Sequence, residues 1–168
     1  MMLVHGAVQA AEAEDLKVGQ VAPNFTLRTL NPKLSGAKVF ALRKLVGASA
    51  KTKSTVVLSF AASYCEPCKK ELAELKPMAG DFKAHGVQLA AVVIDTEPEG
   101  IAAMKALTID KLALPFPVLS DRFGVLARRY HADQLPKTVI ISPEGKVQWI
   151  STGFKKGALQ ALRAQLKM

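Results

Sequence analysis

Hydrophobic positions along this chain follow two periods, one typical of strands and one typical of helices. Two short apolar runs rich in β-branched residues, 56–60 and 87–94, predict buried strands with both faces covered. Between them the pattern predicts a helix that begins at Cys65, with Leu72 and Leu75 on one face. Two strands joined by a helix form a right-handed βαβ unit, so we expect these strands to be parallel.

The same two periods continue through the second half of the chain. They predict a helix, a short extended segment, a second helix, two strands of a hairpin and a last helix, over residues 99–108, 116–119, 123–130, 137–142, 147–151 and 159–166. The second of these helices has an apolar stripe that we expect in the core, made of Phe123, Leu126, Ala127 and Tyr130. Together with an amino-terminal extension over 19–43, this order predicts an α/β sandwich with a mixed sheet.

Composition narrows the class of protein. A length of 168 residues, 49% of them hydrophobic, is typical of one folded domain. The net charge of +9 would attract acidic partners, but the basic residues are scattered with few aromatic residues among them. We therefore expect no nucleic-acid binding. No apolar run reaches the roughly 18 to 20 residues that cross a bilayer, so we expect no integral membrane segment.

The amino terminus is similar to the end of an export signal. Residues 1–11 are mostly apolar or small, and Val-Gln-Ala at 8–10 resembles a cleavage site. No Lys or Arg stands before this tripeptide. We expect residues 1–16 to be a leader or a truncated signal and residues 17–168 to be the folded domain. A periplasmic or otherwise extracytoplasmic location follows from that expectation, and the sequence leaves a cytoplasmic location open.

The only two cysteines, Cys65 and Cys68, lie three residues apart at the start of the predicted helix. A disulfide between them closes a ring so small that it stabilises the fold by only about 2 kcal/mol, which makes a purely structural role a poor explanation. The positive end of the helix dipole favours a thiolate at the first position. Cys65 is therefore the expected nucleophile, and Cys68 is placed to resolve a mixed disulfide by thiol–disulfide exchange.

Charged neighbours of the cysteines act in opposite directions. Glu66 disfavours a thiolate at Cys65, whereas Lys69 and Lys70 favour it. We hypothesise that Glu66 makes the cysteine pair more reducing by raising the pKa of the Cys65 thiol.

Other interpretations of Cys-x-x-Cys remain in view. Covalent haem attachment requires His directly after the second cysteine, and Lys69 stands there. A zinc site needs two further ligands, yet His5, His85 and His131 are scattered. An inert pair in the core and a Cu(I) site with two thiolates stay open as alternatives. We expect neither a resident metal nor an organic cofactor.

The segment SFAASYCEPCKKEL over 59–72 resembles the thioredoxin superfamily, and most of all its TlpA/ResA branch of thiol-disulfide oxidoreductases with an AhpC/TSA-redoxin type of domain. Residues 19–25, Leu135-Pro136 and the turn at 142–146 resemble further landmarks of that branch in order and spacing. The resemblance spans about residues 17–167. It implies a thioredoxin-like three-layer α/β sandwich with a central mixed sheet and an amino-terminal β extension.

The resemblance also implies which residues meet a substrate. Pro136 is expected in the cis form, so that it and the backbone of Leu135 face the substrate chain. Tyr64 stands where the superfamily usually has Trp, and Glu66 and Pro67 lie between the cysteines. These five residues are the predicted substrate contacts.

Glu71 is the expected proton carrier. It matches the closing glutamate of the branch's Cys-Glu-Pro-Cys-Lys-Lys-Glu form and shares a helix face with Cys68. If it is partly buried, its pKa is raised and it can take the Cys68 proton. Glu97 is a weaker candidate by position, and Ser59 stands where thioredoxin itself has a buried acid.

The function implied by the resemblance is exchange of a dithiol for a disulfide in protein substrates. The expected protein is a monomeric extracytoplasmic reductant that acts on protein thiols, such as apocytochrome c cysteines, and receives electrons from a membrane thiol donor. Two alternatives are a peroxiredoxin-like peroxidase and a non-enzymatic Cu(I)-binding domain on the same scaffold. The segment 116–130 is similar to that of peroxiredoxins, but 61–64 lacks the Pro and Thr that bind peroxide in that family.

Overall fold

A central five-stranded sheet organises the molecule in the computed structural model, which describes residues 15–168. The spatial order is β5-β4-β3-β6-β7. The strands are β3 (Thr55–Ala61), β4 (Val87–Val93), β5 (Val118–Ser120), β6 (Lys137–Ile141) and β7 (Val147–Thr152). The pairs β3–β4 and β4–β5 are parallel, whereas β6 pairs antiparallel with both β3 and β7. This confirms the predicted βαβ unit, the hairpin and the mixed sheet.

The amino-terminal extension is a small separate sheet. It consists of β1 (Thr26–Arg28) and β2 (Val39–Ala41), which pair antiparallel around the short helix α1 (Pro32–Ser35). It joins the main sheet through a backbone hydrogen bond of 2.7 Å from Leu30 N–H to the carbonyl of Val118. The predicted β extension is therefore present. Residues 1–14 of the predicted leader lie outside the described residues.

Five further helices connect and cover the strands. They are α2 (Glu66–Leu75), α3 (Ala79–Ala84), α4 (Pro98–Lys105), α5 (Val125–Arg129) and α6 (Ala158–Gln165). A 3₁₀ turn that contains Pro77 separates α2 from α3, because proline cannot donate the backbone hydrogen bond that a continuous helix needs. Within residues 15–168, no helix is long and apolar enough to cross a membrane.

Alternating side chains of β3 divide the core into two layers, one on each face of the sheet. Val56, Leu58 and Phe60 pack with α5 and the amino-terminal extension. Val57 and Ala61 pack on the other face against α2, α3, α4 and α6. Helices and extension on opposite sides of one sheet give the predicted three-layer arrangement.

The prediction that Phe123 packs in the core is wrong. Its side chain is 68% exposed, although Leu126 and Tyr130 are buried as expected. The reason is that α5 begins only at Val125. The carboxylate of Asp121 accepts hydrogen bonds from backbone N–H groups in the first turn of α5, so the chain is still outside the helix at Phe123.

Candidate active site

The end of β3 and the start of α2 place the two cysteines. Cys65 is the residue before the first turn of α2, and its sulfur accepts a hydrogen bond of 3.2 Å from the backbone N–H of Cys68. The two sulfurs are joined in a disulfide. Cys65 is 8% exposed and Cys68 is fully buried behind it. Only the first sulfur can therefore be approached from outside, and it lies at the positive end of the helix dipole.

The charged neighbours of Cys65 are paired with each other. Lys69 Nζ lies 2.6 Å from Glu66 Oε1, and this contact lowers the pKa of the Glu66 carboxyl. Glu66 and Lys69, which act in opposite directions on a Cys65 thiolate, therefore form one exposed ion pair beside the disulfide. Pro67 lies in the first turn of α2, where no intrahelical N–H bond is lost.

A buried carboxylate lies one turn below Cys68. Glu71 is 4% exposed, and its Oε1 accepts hydrogen bonds from the hydroxyls of Ser59 at 2.7 Å and Thr138 at 2.8 Å. Burial raises the pKa of Glu71, while the two hydroxyl donors act in the opposite direction. Of the two candidate proton carriers, Glu71 is buried on the same helix as Cys68, whereas Glu97 is exposed.

Thr138 was not predicted from the sequence. It belongs to this group because β3 and β6 pair in a register that sets Ser59 directly opposite Thr138. Both hydroxyls lie on the face that α2 covers. Side chains of β6 alternate between the two faces of the sheet. Once β6 is paired with β3, counting this alternation from Pro136 could have identified Thr138.

A second acid supports the turn before Cys65. Asp95 follows β4 and is 7% exposed. Its carboxylate accepts the backbone N–H of Ser63 at 3.0 Å and the hydroxyl of Ser63 at 2.5 Å. These bonds hold the turn that carries Tyr64 and Cys65. Sequence reasoning missed Asp95, because a single acid after a strand shows no partner until the strands are paired.

The remaining predicted substrate contacts occupy the surface near this turn and the start of β6. The Leu135–Pro136 peptide bond is cis, and Leu135 packs against the core layer that contains both cysteines. Tyr64 is 74% exposed, so its ring projects into solvent rather than into the core.

Residues that could hold a metal ion do not gather in this part of the chain. Among the described residues, no group of three or more His, Cys, Asp or Glu side chains is placed to bind one. The chemistry that the site itself supports is exchange at the two sulfurs, with Glu71 as the buried acid on the same helix.

Comparisons with known proteins agree with this geometry. The model of the AhpC/TSA family matches residues 18–150. The chain is 32% identical over 151 residues to the thiol-disulfide oxidoreductase ResA of Bacillus subtilis, covering 89% of this chain and 75% of that protein. It is 31% identical over 137 residues to ResA of Oceanobacillus iheyensis, covering 82% of this chain and 66% of that protein.

Solved structures also match this chain, among them one that is similar in both sequence and fold. It is the crystal structure of a protein from Chlorobium tepidum assigned as a thiol:disulfide interchange protein DsbE, with 29% identity and a TM-score of 0.75. The match covers 91% of this chain and 97% of that one. The similarity to the thioredoxin-like proteins thus extends over nearly the whole described fold.

Proposed function

The chain belongs to the AhpC/TSA family as a ResA-like thiol-disulfide oxidoreductase, and on that premise we propose that it reduces disulfides of protein substrates outside the cytoplasm. In this proposal Cys65 attacks the substrate and Cys68 resolves the intermediate. The observation that carries it is the arrangement of the pair, with Cys65 at the surface end of α2 and Cys68 fully buried behind it.

The exchange proceeds in two balanced steps. The Cys65 thiolate attacks one sulfur of the substrate disulfide, which forms a mixed disulfide and releases the other substrate sulfur as a thiolate. Cys68 then loses its proton and attacks the Cys65 sulfur. That step breaks the mixed disulfide, forms the Cys65–Cys68 disulfide seen in the structure and releases the second substrate thiolate. Two electrons pass from the cysteine pair to the substrate.

Glu71 receives the Cys68 proton in this scheme. Its position three residues after Cys68 on α2 and its raised pKa support the assignment, because a carboxylate whose pKa is raised takes a proton from a buried thiol more readily than an ordinary carboxylate. Both hydroxyls that bind Glu71 donate to Oε1. Oε2 has no hydrogen bond from residues 15–168, so it is the oxygen left to carry the proton.

The substrate chain lies across the disulfide in this proposal. Leu135 and Pro136 present a backbone edge to it, as in other cases of strand-like peptide recognition. Tyr64, Glu66 and Pro67 form the facing side of the contact, and exposure of Tyr64 supports this role.

The kind of relative that matches supports the proposed setting of the reaction. These relatives are thiol-disulfide oxidoreductases and a protein assigned as a thiol:disulfide interchange protein. We expect a monomer that accepts electrons from a membrane thiol donor and passes them to protein disulfides, with apocytochrome c cysteines as one candidate. No nucleic acid and no organic cofactor take part.

The experiment that tests the proposal measures the reduction potential of the pair in dithiothreitol and glutathione buffers. A potential near about −270 mV or lower is expected for a reductant. A value near about −120 mV would identify an oxidant and overturn the direction. If the pair forms no intramolecular disulfide at all, the exchange mechanism is wrong, and Cu(I) binding by the reduced protein becomes the function to measure.

Two variants separate the roles of the sulfurs. Cys68→Ser is expected to accumulate a mixed disulfide with a substrate peptide through Cys65. Cys65→Ser is expected to form none, because the buried Cys68 cannot be approached from outside. Mass spectrometry of the trapped adducts distinguishes the two results, and an adduct on Cys68 would contradict the assignment.

A further inference from the structure

Three loops leave the carboxyl ends of the parallel strands and meet at one edge of the sheet. The loops after β3, β4 and β5 carry Cys65, Thr96 and Gly124 respectively. The loop after β4 contacts both of the others. Asp95 in that loop binds Ser63 in the loop after β3. The methyl carbon of Thr96 lies close to Gly124 in the loop after β5, at 3.8 Å from the position that a Cβ on Gly124 would occupy. The surface around the disulfide is therefore continuous with the loop after β5.

An open groove lies beside this third loop, and we call it the Phe123 groove. It consists of two adjoining depressions of about 640 and 590 Å³, which share Ile101, Lys105, Arg122 and Phe123. Phe123 is 68% exposed and Val125 is 43% exposed. The guanidinium of Arg122 lies 4.5 Å from the centre of the Phe123 ring. Apolar side chains left in solvent and bordered by charged ones are typical of a surface that binds another molecule.

The charge that lines this groove is positive on balance. Arg28, Lys105 and Arg122 line it, and the acid among the lining residues is Asp121. Asp121 is 2% exposed and its two carboxylate oxygens accept hydrogen bonds from backbone N–H groups of α5, so it lies beneath the exposed cations. Neither Arg28 nor Lys105 forms an ion pair with any residue of 15–168. The complementary occupant carries carboxylates together with an apolar or aromatic side chain.

The order of the strands gives an estimate of where such residues lie in the occupant. β4 separates β3 from β5, so the strand ends at which the two loops begin stand about two strand spacings, or roughly 10 Å, apart. An extended peptide advances about 3.3 Å per residue, so three to four residues span that distance.

Resting on the proposed function, we propose that the Phe123 groove docks an acidic segment with an aromatic residue, located about four residues from the substrate cysteine that reacts with Cys65. The segment belongs to the same protein chain that is reduced. The groove binds that chain while its reacting sulfur lies beside Cys65. The groove therefore determines which substrates are preferred and does not alter the exchange reaction at the sulfurs.

Synthetic peptides test this proposal directly. Each peptide contains one cysteine in a disulfide with 2-mercaptoethanol, and Glu-Phe-Glu stands four residues before or after that cysteine. Matched peptides contain Lys-Phe-Lys at the same place, or Glu-Phe-Glu ten residues away. The second-order rate of reduction by the reduced full-length protein is measured for each. We expect the acidic peptide with the four-residue spacing to react about tenfold faster than its basic counterpart, because charge complementarity acts mainly on the association rate.

Two double variants of equal charge change locate the effect. Lys105→Glu with Arg122→Glu reverses the charge at the groove, whereas Lys51→Glu with Lys53→Glu reverses it in the exposed segment before β3, at the opposite end of that strand. The groove variant is expected to lose the acidic preference and the control variant to keep it. Phe123→Ser is expected to reduce the preference in peptides that contain Phe. Reduction of uncharged 2-hydroxyethyl disulfide is expected to be equal in all of these proteins.

Each other outcome overturns the inference in a distinct way. Equal loss of preference in both double variants would assign the effect to the net charge of +9. A preference that does not change with spacing would exclude a defined groove. Binding to phosphatidylglycerol vesicles that depends on the groove, without any peptide preference, would assign the surface to a membrane. Failure of the native protein to reduce 2-hydroxyethyl disulfide would instead contradict the proposed function itself.

Discussion

The hydroxyl of Ser59 donates a hydrogen bond of 2.7 Å to Oε1 of Glu71, which joins the middle of β3 to the buried side of α2. Thr138 donates to the same oxygen from β6. A carboxylate in an otherwise apolar layer is costly to ionise, and hydrogen bonds to its charged form reduce that cost. These two hydroxyls therefore set how far the pKa of Glu71 rises above its ordinary value.

The first prediction concerns the pH at which Cys68 resolves a mixed disulfide. Thr138→Val removes a donor that lowers the pKa of Glu71, so that pKa rises further. The carboxylate of Glu71 is then protonated at a higher pH. We therefore expect the acidic limb of the profile of resolution rate against pH to move upward by about one pH unit. Glu71→Gln is expected to remove this limb and to slow resolution by about a hundredfold. Stopped-flow measurement of the resolving step checks both.

A matched control for that prediction is Thr108→Val. Thr108 is also fully buried, but its hydroxyl donates to the carbonyl of Met104 and not to Glu71. We expect its pH profile to coincide with that of the native protein. If Thr138→Val leaves the profile in place while Glu71→Gln changes it, the hydroxyl has no control over the proton carrier.

The second prediction concerns stability against pH. Burial raises the pKa of Glu71 above its ordinary value of 4.5. For an acid whose pKa is raised by folding, the contribution to stability is complete below the unfolded pKa and is lost as pH rises through the folded pKa. Glu71→Gln does not titrate, so its unfolding free energy relative to the native protein should increase from pH 4 to pH 8. The expected gain is about 1.4 kcal/mol for each unit by which the pKa is raised.

Urea unfolding of the oxidised proteins across that pH range measures this gain. Glu99→Gln serves as the control, because it removes an exposed carboxylate from α4. Its unfolding free energy should remain parallel to that of the native protein. Parallel curves for Glu71→Gln as well would show that the acid keeps an ordinary pKa in the folded protein.

The third prediction concerns the ion pair beside the disulfide. Glu66→Gln removes the negative charge next to Cys65 and leaves Lys69 without its partner at 2.6 Å. Both changes favour a Cys65 thiolate, and stabilising the reduced form makes the pair more oxidising. We expect a less negative reduction potential than that of the native protein in the same glutathione buffers. Lys69→Gln should shift the potential in the opposite direction, and equal potentials in all three proteins would show that the pair has no influence on the thiol.

Local pattern was sufficient to predict much of this fold. The apolar runs at 56–60 and 87–94 correspond to β3 and β4, and the spacing of Leu72 and Leu75 corresponds to the buried face of α2. These elements depend on neighbours a few residues apart, which is the range that periodicity records. Phe123 was misplaced because apolar spacing does not show where Asp121 caps the next helix.

The parts that could not be predicted depend on pairing between distant strands. Thr138 binds Glu71 across 67 residues of sequence, and Asp95 binds Ser63 across 32. Neither contact leaves a local signal, because each polar residue alone resembles an ordinary strand or loop residue. The motif predicts the reacting sulfurs, whereas the register of the sheet determines which side chains lie beside them.

The last prediction tests whether Asp95 holds the turn before Cys65 rigidly. A Cβ added at Gly100 would lie 2.9 Å from Cγ of Asp95, closer than packed atoms allow. Hydrogen bonds from Ser63 hold the carboxylate of Asp95 in place, so Asp95 can move away from the added Cβ only if those bonds weaken. We expect Gly100→Ala to destabilise the protein by about 1 to 3 kcal/mol in urea unfolding and to slow reduction of small disulfides. Gly80→Ala, in α3 with open space around it, should instead stabilise by about 0.5 to 1 kcal/mol. Stabilisation by both substitutions would mean that Asp95 moves freely and does not position the turn.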